Sequence, residues 1–191
     1  HRLPVAYIER LHARPKQGKD DWSLEVTLRL RNAGSAEAAG RRVQVALPGL
    51  DAQTELELPA IAPGATETIT TTFQALEAEA WDCTHPKLYR IQAHLLDDGD
   101  GVVDDWIDQV GFRECRVSGQ DILLNGQPIR LRGFNRHEDH PQFGNALPPE
   151  AMLADLELIR DMGANCIRTS HYPNDARFLD LCDEMGFLVW E

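Results

Sequence analysis

The chain has 191 residues, 42% hydrophobic and 26% charged, an ordinary soluble globular usage that excludes disordered, collagen-like and low-complexity architectures. Lys plus Arg number 19 against 31 Asp plus Glu, a net charge of −12 with histidine neutral, and the basic residues are scattered. Such a chain lacks the electrostatic footprint of a nucleic-acid or anionic-membrane binder. No apolar run approaches the roughly 18 residues of a membrane span. The start, His1-Arg2-Leu3-Pro4, has neither an initiator methionine nor a basic-then-apolar signal segment, as expected of a segment cut from something longer or processed.

From about Pro4 to Arg116 apolar residues recur with a period of two. Trp22, Leu24, Val26, Leu28 and Leu30 alternate with Ser23, Glu25, Thr27 and Arg29, one apolar and one polar strand face. After the turn-rich Asn32-Ala33-Gly34-Ser35 come Val43, Val45 and Leu47, then Leu56 and Leu58, the turn Pro63-Gly64 and a β-branched run from Thr66 to Phe73. A strand over 88–95 closes on Asp97-Asp98-Gly99-Asp100-Gly101, and a last strand spans about 102–113. About seven short strands at this spacing, with nothing helical between them, predict an antiparallel sandwich.

After Arg116 the period changes. Ile122-Leu123-Leu124 and Pro128-Ile129-Arg130-Leu131 flank Asn125-Gly126, the strongest short-range hairpin signal. Over 149–162 apolar residues at 152, 153, 156, 159 and 162 form one helical face, with Pro149 in the first turn and Gly163 as the stop. A short strand over 165–169 follows. A second helix over 175–185 carries Phe178, Leu179, Cys182 and Met185 on one face and ends at Gly186. Phe187-Leu188-Val189-Trp190 reads as a buried strand, with Trp190 expected in the core and a sugar-stacking platform as its other reading. This β-α-β-α-β order begins a parallel sheet. It is either a small open sheet or part of a barrel, since a closed eight-strand β/α barrel takes roughly 250 residues.

In β/α barrels the chemistry lies at the carboxyl ends of the strands. Three successive ends here carry Asn135-Arg136-His137-Glu138-Asp139-His140, Arg168-Thr169-Ser170-His171-Tyr172-Pro173, and Glu191. Polar and ionisable groups concentrated at one end of every strand point to a site rather than to a solvated loop. His137 and His140 lack the H-E-x-x-H spacing and Pro141 follows at once, so no zinc site is expected. The cysteines, Cys83, Cys115, Cys166 and Cys182, show no C-x-x-C pair, and reduced, mostly buried thiols are expected.

The run from Asn165 to Pro173, with Phe178-Leu179, Asp183 and Gly186-Phe187-Leu188-Val189-Trp190, resembles the long signature of family 2 glycoside hydrolases: β-galactosidases, β-glucuronidases and β-mannosidases. Gly133-Phe134-Asn135-Arg136-His137-Glu138-Asp139 resembles the motif that precedes it in the family. Trp81, Pro86-Lys87-Leu88-Tyr89 and Gly111-Phe112-Arg113 resemble the end of the family's immunoglobulin-like domain. The resemblance implies a multidomain β plus α/β protein. Residues 1–116 would form an immunoglobulin-like antiparallel β-sandwich, and residues 117–191 the first part of a TIM (β/α)8 barrel, with Ile167 and Val189 on its inner face.

The implied activity is that of a retaining exo-β-glycosidase. Retention needs two carboxyls about 5 Å apart, one nucleophile and one acid/base; by the resemblance these are glutamates beyond residue 191, so no catalytic residue is expected within this chain. What it would supply is substrate binding and support. Arg168 matches the arginine that pairs with the nucleophile, a task suited to a rigid guanidinium fork. His171 and His137 match histidines of the sugar subsite. Asp139 matches an aspartate that accepts hydrogen bonds from sugar hydroxyls. Asn135, Arg136 and Glu138 are expected either to share the pocket or to hold its first loop.

His137-Glu138-Asp139-His140-Pro141 mixes features of the galactosidase and glucuronidase versions of this motif. β-Galactosides are the expected substrate, with β-glucuronides or β-mannosides as the alternative. The resemblance implies no cofactor in this chain and leaves a divalent or monovalent cation to the full-length parent. It further implies a homo-oligomeric, cytoplasmic parent with a carbohydrate substrate and neither nucleic-acid nor membrane partners. The rival reading is a non-catalytic immunoglobulin-like binding module, since a sandwich by itself carries no activity.

Overall fold

The structure is a computed structural model that describes residues 4–191; His1, Arg2 and Leu3, the start that reads as neither initiator nor signal segment, lie outside them. It divides into two compact units. One comprises residues up to Ala78 together with Tyr89–Phe112, and the other Glu79–Leu88 with Arg113–Glu191.

The first unit is a seven-stranded sandwich. Strands β1 (Ala6–Gln17), β2 (Trp22–Asn32) and β5 (Thr66–Leu76) form one antiparallel sheet in the order β1-β2-β5. Strands β3 (Arg42–Leu47), β4 (Ala52–Glu57), β6 (Tyr89–Leu96) and β7 (Val102–Val110) form the other, in the order β4-β3-β6-β7. The alternation in the sequence becomes burial. Leu24, Val26 and Leu28 from one sheet and Val43, Val45, Leu47, Ile91 and Ala93 from the other are all fully buried. Phe112 packs edge-on against Trp22 and Tyr89, with ring centroids 5.8 and 5.4 Å away, a favourable geometry for aromatic quadrupoles. The one helical departure from the sequence reading is a 3₁₀ turn at Pro48–Leu50, where Pro48 supplies the fixed φ that opens it.

The second unit begins with a three-stranded meander, β8 (Cys115–Ser118), β9 (Asp121–Leu124) and β10 (Gln127–Ile129). Asn125 and Gly126 have φ of 50° and 77°, the left-handed pair that a two-residue hairpin turn requires. A three-stranded parallel sheet follows: β11 (Gly133–Arg136), β12 (Cys166–Thr169) and β13 (Leu188–Trp190), in that order. Helices α1 (Pro149–Asp161) and α2 (Ala176–Met185) make the two crossovers. This β-α-β-α-β sheet, open at three strands, has the order expected of the start of a β/α barrel.

The core of this unit lies between sheet and helices. Leu147, Met152, Leu156, Ile159, Ile167, Phe178, Cys182 and Phe187 form one buried cluster, with Val189 packed against it. Ile167 and Val189 therefore face the helices, and their expected place on the barrel's inner face is corrected. Strand register gives the reason. Phe134, Ile167 and Val189 share one row, and Asn135, Arg168 and Trp190 share the next, on the opposite face. Trp190 is accordingly 66% exposed rather than core.

Gly133 and Gly186 are demanded by close approach. A Cβ on Gly133 would lie 1.8 Å from the Cys166 carbonyl oxygen, and one on Gly186 would lie 2.5 Å from that of Cys83. Gly186 also caps α2 with φ of 83°, where its N–H reaches the Cys182 carbonyl. All four cysteines are free; Cys166 and Cys182 are buried as expected, Cys83 is half-buried, and Cys115 is exposed because every residue of β8 is. Among the described residues no helix is long and apolar enough to cross a membrane.

Candidate functional site

The carboxyl ends of β11 and β12 bring two of the predicted residues together. His137 follows directly on β11, and His171 follows β12 after Ser170. Their rings meet nearly perpendicular, with centroids 5.3 Å apart, and the Tyr172 ring lies 6.2 Å from His137. Both imidazoles are exposed, so their ring nitrogens are open to a ligand as donor or acceptor. The Ser170–His171 peptide is cis.

The backbone beneath this pair is tied across the sheet. Ser170, fully buried, donates its N–H to the Arg136 carbonyl at 2.9 Å and its hydroxyl to the Arg168 carbonyl at 3.3 Å. The Glu138 N–H donates to the Tyr172 hydroxyl at 2.8 Å. Glu138 Oε1 accepts the Asp175 N–H at 3.1 Å.

Arg136 lies beneath the loop, with 5% of its side chain exposed. Its guanidinium stacks 4.0 Å over the Phe178 ring, and Nε donates to Asp155 Oδ2 at 3.0 Å. Nη2 lies 3.0 Å from the same oxygen but off the line of a hydrogen bond. Nη1 reaches Asn174 Oδ1 at 3.4 Å and lies 3.8 Å from Glu138 Oε1. The charge is thus buried only in company, as its desolvation requires. Asn135 and Arg136 end β11, and Arg168 and Thr169 end β12, at the strand ends where the sequence places them.

Arg168 and Asp139 do not join the histidine pair. Arg168 is exposed on the face opposite the helices, its guanidinium 6.0 Å from the centre of the Trp190 ring. It makes no ion pair among the described residues, which leaves its fork open to a carboxylate. Asp139 is exposed, and no hydrogen bond holds its carboxylate among the described residues. Asp175 caps α2 by accepting the Arg177 N–H at 2.9 Å. The Arg177 side chain, followed by that backbone N–H, holds the Asp175 carboxyl at about 2, below its ordinary range.

Sequence reasoning missed Tyr172, Asp155 and Phe178 as parts of this arrangement. Phe178 and Asp155 read as ordinary helix positions, and only the tertiary fold brings them to Arg136. Tyr172 was in view within Ser-His-Tyr, but nothing in the sequence pairs it with Glu138.

The sequence model of Glycosyl hydrolases family 2 matches residues 6–113, and that of the Glycosyl hydrolases family 2 TIM barrel domain matches residues 115–191. A putative β-glucuronidase of Formosa agariphila is 36% identical over 99% of this chain and 23% of its own length. A β-galactosidase of Alteromonas mediterranea is 40% identical over 62% of this chain and 11% of its own. The crystal structure of a GH2 β-galacturonidase from Eisenbergiella tayi bound to galacturonate superposes with a TM-score of 0.88 at 45% identity, covering 99% of this chain and 33% of that one. The chain thus spans between about a tenth and a third of the length of these proteins.

Proposed function

The chain belongs to family 2 of the glycosyl hydrolases, and on that premise we propose that it is the sandwich and first barrel strands of a retaining exo-β-glycosidase that removes terminal β-linked sugars, β-galactosides first. The observation that carries this reading is the His137–His171 pair, exposed and edge-to-face at 5.3 Å on the carboxyl ends of adjacent parallel strands. In this reading the two imidazoles hold sugar hydroxyls and Asp139 accepts from a further one. Arg168 keeps the nucleophilic glutamate ionised and oriented. That glutamate and the acid/base glutamate are expected outside this chain, so the isolated 191 residues should turn over no glycoside. The boundary between sandwich and barrel domains is placed at residue 116. The four free cysteines support a reducing, cytoplasmic compartment.

A second reading, a β-uronide substrate, is favoured by the 45% identity to the β-galacturonidase over nearly the whole chain. Assay of the full-length protein with nitrophenyl β-galactoside, β-galacturonide, β-glucuronide and β-mannoside tests both. Preferred turnover of β-galactoside is the expected result, and preference for either uronide establishes the second reading. Failure to hydrolyse any of the four would overturn the glycosidase reading in favour of a binding module.

A further inference from the structure

We infer that Arg136, Glu138 and Tyr172 are positioning residues that fix the His137–His171 pair by tying its two loops together on both sides of it. The inference rests on the proposed role of that pair.

The ties are placed symmetrically. Ahead of each histidine, the Ser170 N–H meets the Arg136 carbonyl at 2.9 Å. Behind each histidine, the Glu138 N–H meets the Tyr172 hydroxyl at 2.8 Å. Residues 136 and 170, and residues 138 and 172, are thus joined one position to either side of 137 and 171. His137 hangs from a backbone bonded at both neighbours, and His171 from one bonded at Ser170 and followed by the tied Tyr172 side chain, which limits the directions each Cα–Cβ bond can take.

The anchors reach into the core. Arg136 is clamped by the Phe178 ring below and by Asp155 of α1 beside it. Glu138 carries the tie onward to the Asp175 N–H at the start of α2. The front tie is therefore anchored to both helices, and its groups are mostly buried. The rear tie differs: Tyr172 is exposed, and water can replace its hydroxyl at the Glu138 N–H. Such a bond adds little to stability. What it contributes is the relative placement of two rings, to which a bound sugar is sensitive at the level of an ångström.

Tyr172→Phe separates placement from stability, because it keeps the ring and removes the bonded oxygen. In the full-length enzyme, acting on the aryl glycoside it hydrolyses best, Tyr172→Phe is expected to lower kcat/KM about 10-fold with the melting temperature within about 2 °C of the parent. In a His137→Ala background the same change is expected to cost clearly less than in the parent, since only His171 is left for the tie to position. Glu138→Gln, which keeps the Oε1 acceptor, should retain more activity than Glu138→Ala. A crystal structure of the Tyr172→Phe protein should show the two rings displaced from 5.3 Å or spread over several orientations.

An equal loss from Tyr172→Phe in both backgrounds, or an unmoved ring pair in the crystal, overturns the inference while leaving the glycosidase reading intact. Full activity of His137→Ala overturns the role of the pair, and the inference with it. If the parent hydrolyses no glycoside, the ring geometry in the crystal still decides the positioning question.

Discussion

The two units solve the burial problem differently. In the sandwich, each sheet covers the apolar face of the other, and β2, β3 and β6 are buried on alternate residues to nearly zero exposure. The second unit has helices on one face of its parallel sheet only. Its three-stranded sheet has two unpaired edges, and its other face presents Asn135, Arg168 and Trp190 to solvent. A parallel sheet of a closed barrel is covered on both faces. The comparison teaches that the candidate site lies on the sheet covered by helices on one face, not on the sandwich whose two sheets cover each other.

The largest effects should come from truncating the two cores. Leu28→Ala in the sandwich and Phe178→Ala in the second unit each empty a fully buried position, at a cost of about 3–5 kcal/mol. If the units differ as described, thermal unfolding of the 191-residue chain will show the Phe178 change in the less stable transition and the Leu28 change in the more stable one. A single transition moved equally by both would contradict the contrast.

Next in size is the loss of function without loss of stability. Arg168→Ala or His171→Ala in the full-length parent should lower kcat at least about 100-fold, the scale of removing one charge-stabilising group from a preorganised site. The melting temperature should hardly move, because both side chains are exposed and neither is part of a core. Near-normal turnover would return these residues to the solvated surface.

Much of this architecture was legible in the sequence, and the exceptions have physical causes. Trp22 to Leu30 alternate without a break, and β2 is buried accordingly. β1 was harder to read because a bulge between Ile8 and Arg10 interrupts its pairing with β2, so Ile8 and Leu11, both buried, stand three residues apart instead of two. β8 carries no burial pattern at all, since each of its residues is exposed. The helices were readable from Pro149, Gly163 and Gly186. The buried face of α1 is narrower than its apolar residues suggest, because Leu153 and Met162 lie exposed beside buried Met152, Leu156 and Ile159, whereas Phe178, Leu179, Cys182 and Met185 of α2 all pack in the core. Apolar residues alone cannot tell the two faces of a parallel strand apart, which is why Ile167 and Val189 were assigned to the wrong one. At the site, residue types and strand ends identified His137 and His171, but the cross-loop ties depend on tertiary placement that no local pattern encodes.

A smaller effect should separate the thiols. Burial pushes Cys182 up to about 12 and Cys83 up to about 11, and the reactive species is the thiolate. At pH 8, an alkylating reagent read by peptide mass mapping should label exposed Cys115 first and Cys182 last, the latter at the rate of unfolding of its unit. Early labelling of Cys182 would mean that the second unit opens far more readily than its packed helices suggest.

The smallest expected effect is at the cap of α2. The Asp175 carboxyl is held at about 2 by Arg177, below the unfolded value of about 3.9. Its contribution is therefore present above pH 4 and is lost as the pH falls through about 2. Because the pair is exposed, the loss is small. Asp175→Asn, which keeps a capping oxygen, should show less acid destabilisation of the second unit between pH 4 and 2 than the parent. Identical acid profiles would remove the carboxylate from the account.

Amide hydrogen exchange of the 191-residue chain, resolved by peptide and paired with a measurement of its oligomeric state, tests the contrast between the units most directly. The account predicts slow exchange through β2, β3 and β6 and markedly faster exchange through β11, β12 and β13, or else association through the open sheet that slows it. A monomer whose parallel strands are as well protected as the sandwich would contradict it, and would make residues 117–191 a self-sufficient α/β unit.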